Sequence, residues 1–202
     1  MTRVVPRRSR LFRAACVATL ALFLVAQPHP AFAYLKFGYE VNATSFTLKW
    51  RTMPVGYYVS DVSVPGVTQS QFQAAADTAF KTWASVPTAS LSYQFMGFTR
   101  NLPGDDDGRT TLGFRSEPSL DRVLASTSYL VDGVTGDLVE ADIFFNSAFA
   151  WSVAPAGERG RWDVQTIALH EIGHLLGLGH SASGETEQLV AGGRRVLSTG
   201  AV

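Results

Sequence analysis

The sequence predicts an α+β domain in which a twisted mixed β-sheet carries two helices packed on it. Three observations carry that prediction. Residues 68–86 and 163–177 repeat apolar side chains at helical spacing behind N-capping residues. Several segments between them alternate apolar and polar residues, as half-buried strands do. The resulting order is strand, helix, several strands, helix, which suits helices laid on one sheet.

Residues 1–33 stand apart from this pattern. Arg3, Arg7, Arg8, Arg10 and Arg13 surround no acid, the apolar run Ala14–Val25 follows them, and the stretch closes on Ala-Phe-Ala at Ala33. A basic region, an apolar run and a small-residue site describe a secretory signal peptide, so cleavage after Ala33 and an extracellular destination are expected. The apolar run falls short of the roughly 20 residues a membrane span needs. No stable membrane anchor is therefore expected after cleavage. Cys16 is the only cysteine and leaves with this segment, so neither a disulfide nor a thiolate ligand is expected in the remainder. Residues 34–202 read as one domain, expected as a monomer. They keep twelve basic residues against 17 acidic ones, a net charge of −5. That balance argues against a nucleic-acid partner, since phosphate binding needs a basic surface.

Along the domain, residues 34–53 offer a loose early strand and Val55–Val64 a better one. Thr68 and Gln71 have capping-box spacing, and Phe72, Ala76, Phe80 (or Ala79) and Trp83 trace one apolar face; Pro87 lies just past the end. Ser90–Phe98 alternates as a strand, and a turn-rich stretch separates it from Arg-Thr-Thr-Leu-Gly-Phe-Arg-Ser at 109–116. Arg122–Val131 and Asp137–Asn146 form a hairpin about the loop 132–136. In its second strand Val139, Ala141, Ile143 and Phe145 are expected on one face, with Glu140, Asp142 and Asn146 on the other. The second helix starts at Asp163 as N-cap, carries Val164, Ile167, Ala168, Ile172 and Leu175, and is expected to end at Gly177.

That second helix holds the chemistry. Apart from His29 in the leader, every histidine lies in His-Glu-Ile-Gly-His-Leu-Leu-Gly-Leu-Gly-His, residues 170–180. Four residues advance a helix by about 400°, so His170 and His174 stand side by side one turn apart. Glu171 is rotated by about 100° from His170. It is placed to hold a metal-bound water and not to ligate. Gly177 can take the left-handed conformation that ends a helix, and the chain can then bring His180 back as a third ligand. Three neutral imidazoles with an open fourth position describe a catalytic zinc site, one ion per chain. Glu171 is then the general base of peptide-bond hydrolysis. The alternative is a noncatalytic zinc-bound peptide-binding protein, a structural role with no use for Glu171, or an inactive fragment of such a protease.

The stretch resembles the metzincin signature His-Glu-x-x-His-x-x-Gly-x-x-His, and with Ser181 it is most similar to the matrixin branch, the matrix-metalloprotease-like enzymes. The resemblance implies a zincin-type fold and a zinc-dependent endopeptidase with peptide or protein substrates. The helix at Thr68–Ala84, closing on Trp83, is similar to the family's first helix. Val123–Tyr129 stands where matrixins place the edge strand that pairs with substrate, which marks Leu124, Ala125, Ser126 and Thr127 as expected substrate-binding residues. Matrixins often bind calcium as well; the acidic loop Gly104–Gly108 offers three carboxylates that Glu140 and Asp142 could join, although a solvated acidic turn is the reading these residues favour. The chain departs from the family in lacking the histidines of the vertebrate structural zinc site, a cysteine switch, and a methionine after His180 for the Met-turn. Because it stops 22 residues after His180, the catalytic domain is expected to be incomplete, with its closing part missing.

Overall fold

The computed structural model describes residues 37–41, 44–180 and 194–198. The expected signal peptide lies outside them, as do residues 181–193 and 199–202. Gly38–Val41 (β1) and Thr44–Thr47 (β2) pair antiparallel, and Lys49–Trp50 (β3) follows. The main sheet is built from Val55–Ser60 (β4), Tyr93–Thr99 (β5), Thr110–Arg115 (β6), Ala125–Asp132 (β7), Asp137–Asn146 (β8) and Arg194–Ser198 (β11) in the spatial order β5-β4-β6-β8-β7-β11, with β3 beside the start of β8. Strands β5, β4, β6 and β8 run parallel to one another, whereas β7 is antiparallel to β8, and β11 to β7. Two-residue strands Trp151–Ser152 (β9) and Trp162–Asp163 (β10) pair parallel ahead of the second helix. The fold is thus the expected α+β arrangement on a mixed sheet.

Helix Gln69–Ala84 (α1) connects the parallel neighbours β4 and β5. It begins as its sequence dictates: Thr68 accepts from the Gln71 amide at 3.3 Å, and the Gln71 side chain accepts from the Thr68 amide at 2.9 Å. Such a reciprocal cap contributes about 1 kcal/mol. Its buried face comprises Phe72, Ala75, Ala76, Ala79 and Phe80. Phe72 sets its ring edge against Phe114 and Phe145, while Phe80 stacks on Tyr57 and Tyr93. Truncating one such aromatic costs about 3–5 kcal/mol, a large share of a domain's stability.

Both helices lie on one face of the sheet. Phe145, which meets α1, shares the face of β8 with Ile143; Ile143 stands directly opposite Thr127 of β7. The Thr127 side chain in turn meets the second helix, Val164–Leu175 (α2). Trp83 ties the two helices together by donating to the Leu169 carbonyl at 2.8 Å. The indole fits only because residue 173 is glycine. A Cβ there would stand 2.9 Å from the Trp83 ring.

The second face of β8 is not the exposed polar one that alternation suggests. Glu140 and Asp142 are buried, Asn146 is fully buried, and Val139 is 40 % exposed. A register shift at Leu130/Val131 pairs Leu130 with Glu140 and Val131 with Leu138, leaving Val139 without a partner across the ladder. The loop after β5 then folds over the acids. Asp142 accepts from the amides of Gly104 and, at 2.7 Å, Thr111; Glu140 accepts from the amide of Gly108. Within the loop, Asp105 accepts from the Leu102 amide and Asp107 from the Arg109 amide. Asn146 fastens the segment before β7: its amide group donates to the carbonyls of Glu117, Leu120 and Val123 at 2.9–3.2 Å.

Burial pushes the carboxyls of Glu140 and Asp142 up to about 7, more than the backbone amides pull them down, and neighbouring acids add to the rise. In the unfolded chain such groups titrate near 4. The folded state therefore holds protons that the unfolded state releases between about pH 4 and 7. The pair's contribution to stability is full below that window and is lost as pH rises through about 7. Urea midpoints of the wild type are expected to fall between pH 5 and 8, and Glu140→Gln is expected to flatten that fall. Parallel profiles for the two proteins would contradict this assignment.

Candidate metal centre

Helix α2 begins at Asp163, whose carboxylate accepts from the Thr166 amide at 2.7 Å. At its far end five donors meet the last four carbonyls. The last four carbonyls of a helix have no partner within it. Here the Ile172 carbonyl accepts from the Leu176 amide and that of Gly173 from the Leu178 amide, each at 3.0 Å. The His174 carbonyl accepts from the Gly177 amide and from the Tyr129 hydroxyl, both at 2.6 Å. The Leu175 carbonyl accepts from the Trp50 indole at 2.8 Å. The amide pattern of residues 177 and 178 is the Schellman motif, and Gly177 takes the φ of +86° that it demands. A Cβ at that position would also stand 2.8 Å from the Leu48 carbonyl oxygen. The sequence requirement for glycine is therefore double.

This turn returns the chain onto the helix and brings the three histidines together. The Nε2 atoms of His170 and His180 are 2.9 Å apart, those of His174 and His170 3.0 Å, and those of His174 and His180 3.1 Å. Among the described residues they form the one group of three His, Cys, Asp or Glu side chains whose ligand atoms converge. The Nδ1 of His174 donates to the Leu178 carbonyl at 2.7 Å. A neutral ring that keeps its proton there presents Nε2 as a bare lone pair. Burial and the two facing imidazoles push the pKa of His170 down to about 4, so it too is neutral near pH 7. Nitrogens about 2.0–2.1 Å from one zinc ion stand roughly 3–3.4 Å from each other. The residues fit the metal.

Glu171 is fully buried. Its Oε2 accepts from the Thr127 hydroxyl at 2.6 Å, and the same hydroxyl lies 3.1 Å from the Glu171 carbonyl oxygen. Phe37 packs its ring 5.5 Å from that of His174. Ala125, Ser126 and Thr127 open β7, Leu124 directly precedes it, and all four are buried. On the outer side of β7, β11 pairs with Ser128–Asp132; among the described residues no strand pairs with 125–127 there. Sequence reasoning placed the three histidines, Glu171 and Gly177. It did not find the supports contributed by Thr127, Tyr129, Trp50 and the Leu178 carbonyl. The orphaned carbonyls of a helix end signal that partners are needed, but only the fold says which.

A family model for the matrixins, a peptidase family, matches residues 49–188. Matrix metalloproteinase-23 of Homo sapiens is 26% identical over 152 residues, covering 70% of this chain and 37% of that protein. Matrix metalloproteinase-23 of Bos taurus is 24% identical over 176 residues, covering 82% and 42%. Matrix metalloproteinase-20 of Homo sapiens is 28% identical over 142 residues, covering 66% and 25%. The chain belongs to the matrixin family of zinc-dependent metalloproteases. It spans between a quarter and about two fifths of the length of these relatives.

Replacing Gly177 with alanine is expected to cost about 1–3 kcal/mol, from the left-handed backbone and the contact with Leu48. The same change is expected to weaken zinc binding, because it displaces the turn that carries His180. Urea unfolding and competition with a chromophoric chelator measure the two effects. A Gly177→Ala protein matching the wild type in both would contradict the role given to this turn.

Proposed function

We propose that this chain is an exported zinc endopeptidase in which His170, His174 and His180 hold one zinc ion and Glu171 is the general base. The observation that carries the proposal is the convergence of three imidazoles next to a buried, hydrogen-bonded carboxylate that is not itself one of the converging ligands. Zinc bound there supplies Lewis acidity to a scissile carbonyl and lowers the pKa of a bound water towards about 7. Glu171 accepts the proton of the attacking water and passes it to the departing amine. A structural zinc site has no need of such a base.

An extended peptide is proposed to lie along the outer edge of β7 at Ala125, Ser126 and Thr127, lengthening the sheet through main-chain hydrogen bonds. The inward burial of Leu124, Ala125 and Thr127 supports recognition there through backbone rather than through those side chains. Export rests on the arginine-rich start, the apolar run and the Ala-Phe-Ala at Ala33. Calcium does not enter the proposal, because the buried acids of β8 already serve as acceptors for the loop amides.

Glu171→Gln is expected to keep one zinc per chain while cleavage of a mixed peptide library falls by about 10²–10⁴-fold. Protein recovered from the secreting host is expected to begin at Tyr34 by mass spectrometry. A Glu171→Gln protein that retains most of its activity would end the proposal.

A further inference from the structure

We propose that Thr127 is a positioning residue for the base: its hydroxyl holds the Glu171 carboxylate in the orientation from which it acts. The inference rests on the reading of Glu171 as the general base. Thr127 and Glu171 come from elements 44 residues apart in sequence, and both are fully excluded from solvent. The hydroxyl carries a single proton and faces two acceptors, Oε2 of Glu171 at 2.6 Å and the Glu171 carbonyl at 3.1 Å. The shorter contact is to the charged group, and charge-assisted bonds are the stronger ones. The proton therefore goes to the carboxylate.

The backbone locks this arrangement from both sides. Threonine is stiff at χ1 in a strand, and Thr127 stands directly across from Ile143 in the middle of the β7–β8 ladder. Glu171 is fixed by α2, whose end Tyr129, two residues along β7, pins at the His174 carbonyl. One strand thus sets both the ligand-bearing helix and the carboxylate upon it. A residue that only filled space would need the methyl group and not the hydroxyl.

The test uses the full chain and four proteins: wild type, Thr127→Val, Thr127→Ser and Thr127→Ala. Zinc stoichiometry and chelator competition are expected to match in all four. Thr127→Val is expected to lose about 10–100-fold in kcat with KM nearly unchanged, the loss expected for a hydrogen bond to a charged group. Thr127→Ser keeps the hydroxyl and is expected to stay within about 3-fold of the wild type. Should the valine variant not fold, the serine and alanine pair, which both lack the methyl, give the same comparison. Crystal structures of the metal-free variants add a readout that is independent of activity: the Glu171 carboxylate is expected to keep its place with serine and to move with valine or alanine. Equal kcat for hydroxyl-bearing and hydroxyl-free variants, or an unmoved carboxylate without the hydroxyl, would overturn the proposal. If the wild type cleaves nothing, the peptidase reading fails, while the crystallographic arm still decides the role of Thr127.

Discussion

An imidazole offers a bare nitrogen to a metal only if its other nitrogen keeps the proton, and His174 meets that condition through the Leu178 carbonyl. The neighbouring rings point their own Nε2 atoms at the same spot, at separations of 2.9–3.1 Å. Three ring nitrogens do not converge on one point by local preference, so the fold must impose it. It does so by burying the helix that carries two of the rings and by turning the chain sharply at Gly177 to deliver the third. The free energy of metal binding is then folding free energy as well, which matters in a domain with no cysteine outside residues 1–33 to form a disulfide.

The central strand β8 divides the labour between the two faces of the sheet. Ile143 and Phe145 face the helices, and β7, beside it, reaches the metal centre through Thr127 and Tyr129. On the opposite face, Glu140 and Asp142 gather backbone amides from the loop after β5, and Asn146 gathers the carbonyls before β7. The start of β7 is thus clamped by Asn146 at one end and by α2 along its inner face. A strand held in this way keeps its outer backbone edge at a fixed height beside the three histidines, as the proposed alignment of a scissile bond requires.

Much of this was legible in the sequence where the determinants are local. The capping box at Thr68 and Gln71, the N-cap at Asp163 and the stop at Gly177 all act within a few residues of themselves, and each appears where it was expected. The ligand spacing is equally local, because His170 and His174 share a helix face and Gly177 directs the return of His180. Strand β8 was also read with its observed bounds. What failed was the inference from alternation to exposure. Glu140 and Asp142 alternate as surface residues do, but a loop that begins some forty residues earlier covers them, and a register shift exposes Val139 instead. The partnership of Thr127 with Glu171 was hidden for the same reason, since strand register and helix placement are properties of the assembled sheet. The resemblance to matrixins marks residues 124–127 for their backbone edge, whereas the side chain of Thr127 turns inward to Glu171.

The proposed chemistry requires the three imidazoles to act as a single set of ligands. X-ray absorption at the zinc edge, recorded on purified protein together with metal content, tests this directly. The prediction is one zinc per chain bound by three imidazole nitrogens at about 2.0–2.1 Å and completed by oxygen, with the imidazole signal reduced in His180→Ala. Zinc absent at stoichiometric levels, or a zinc spectrum that His180→Ala leaves unchanged, would contradict it.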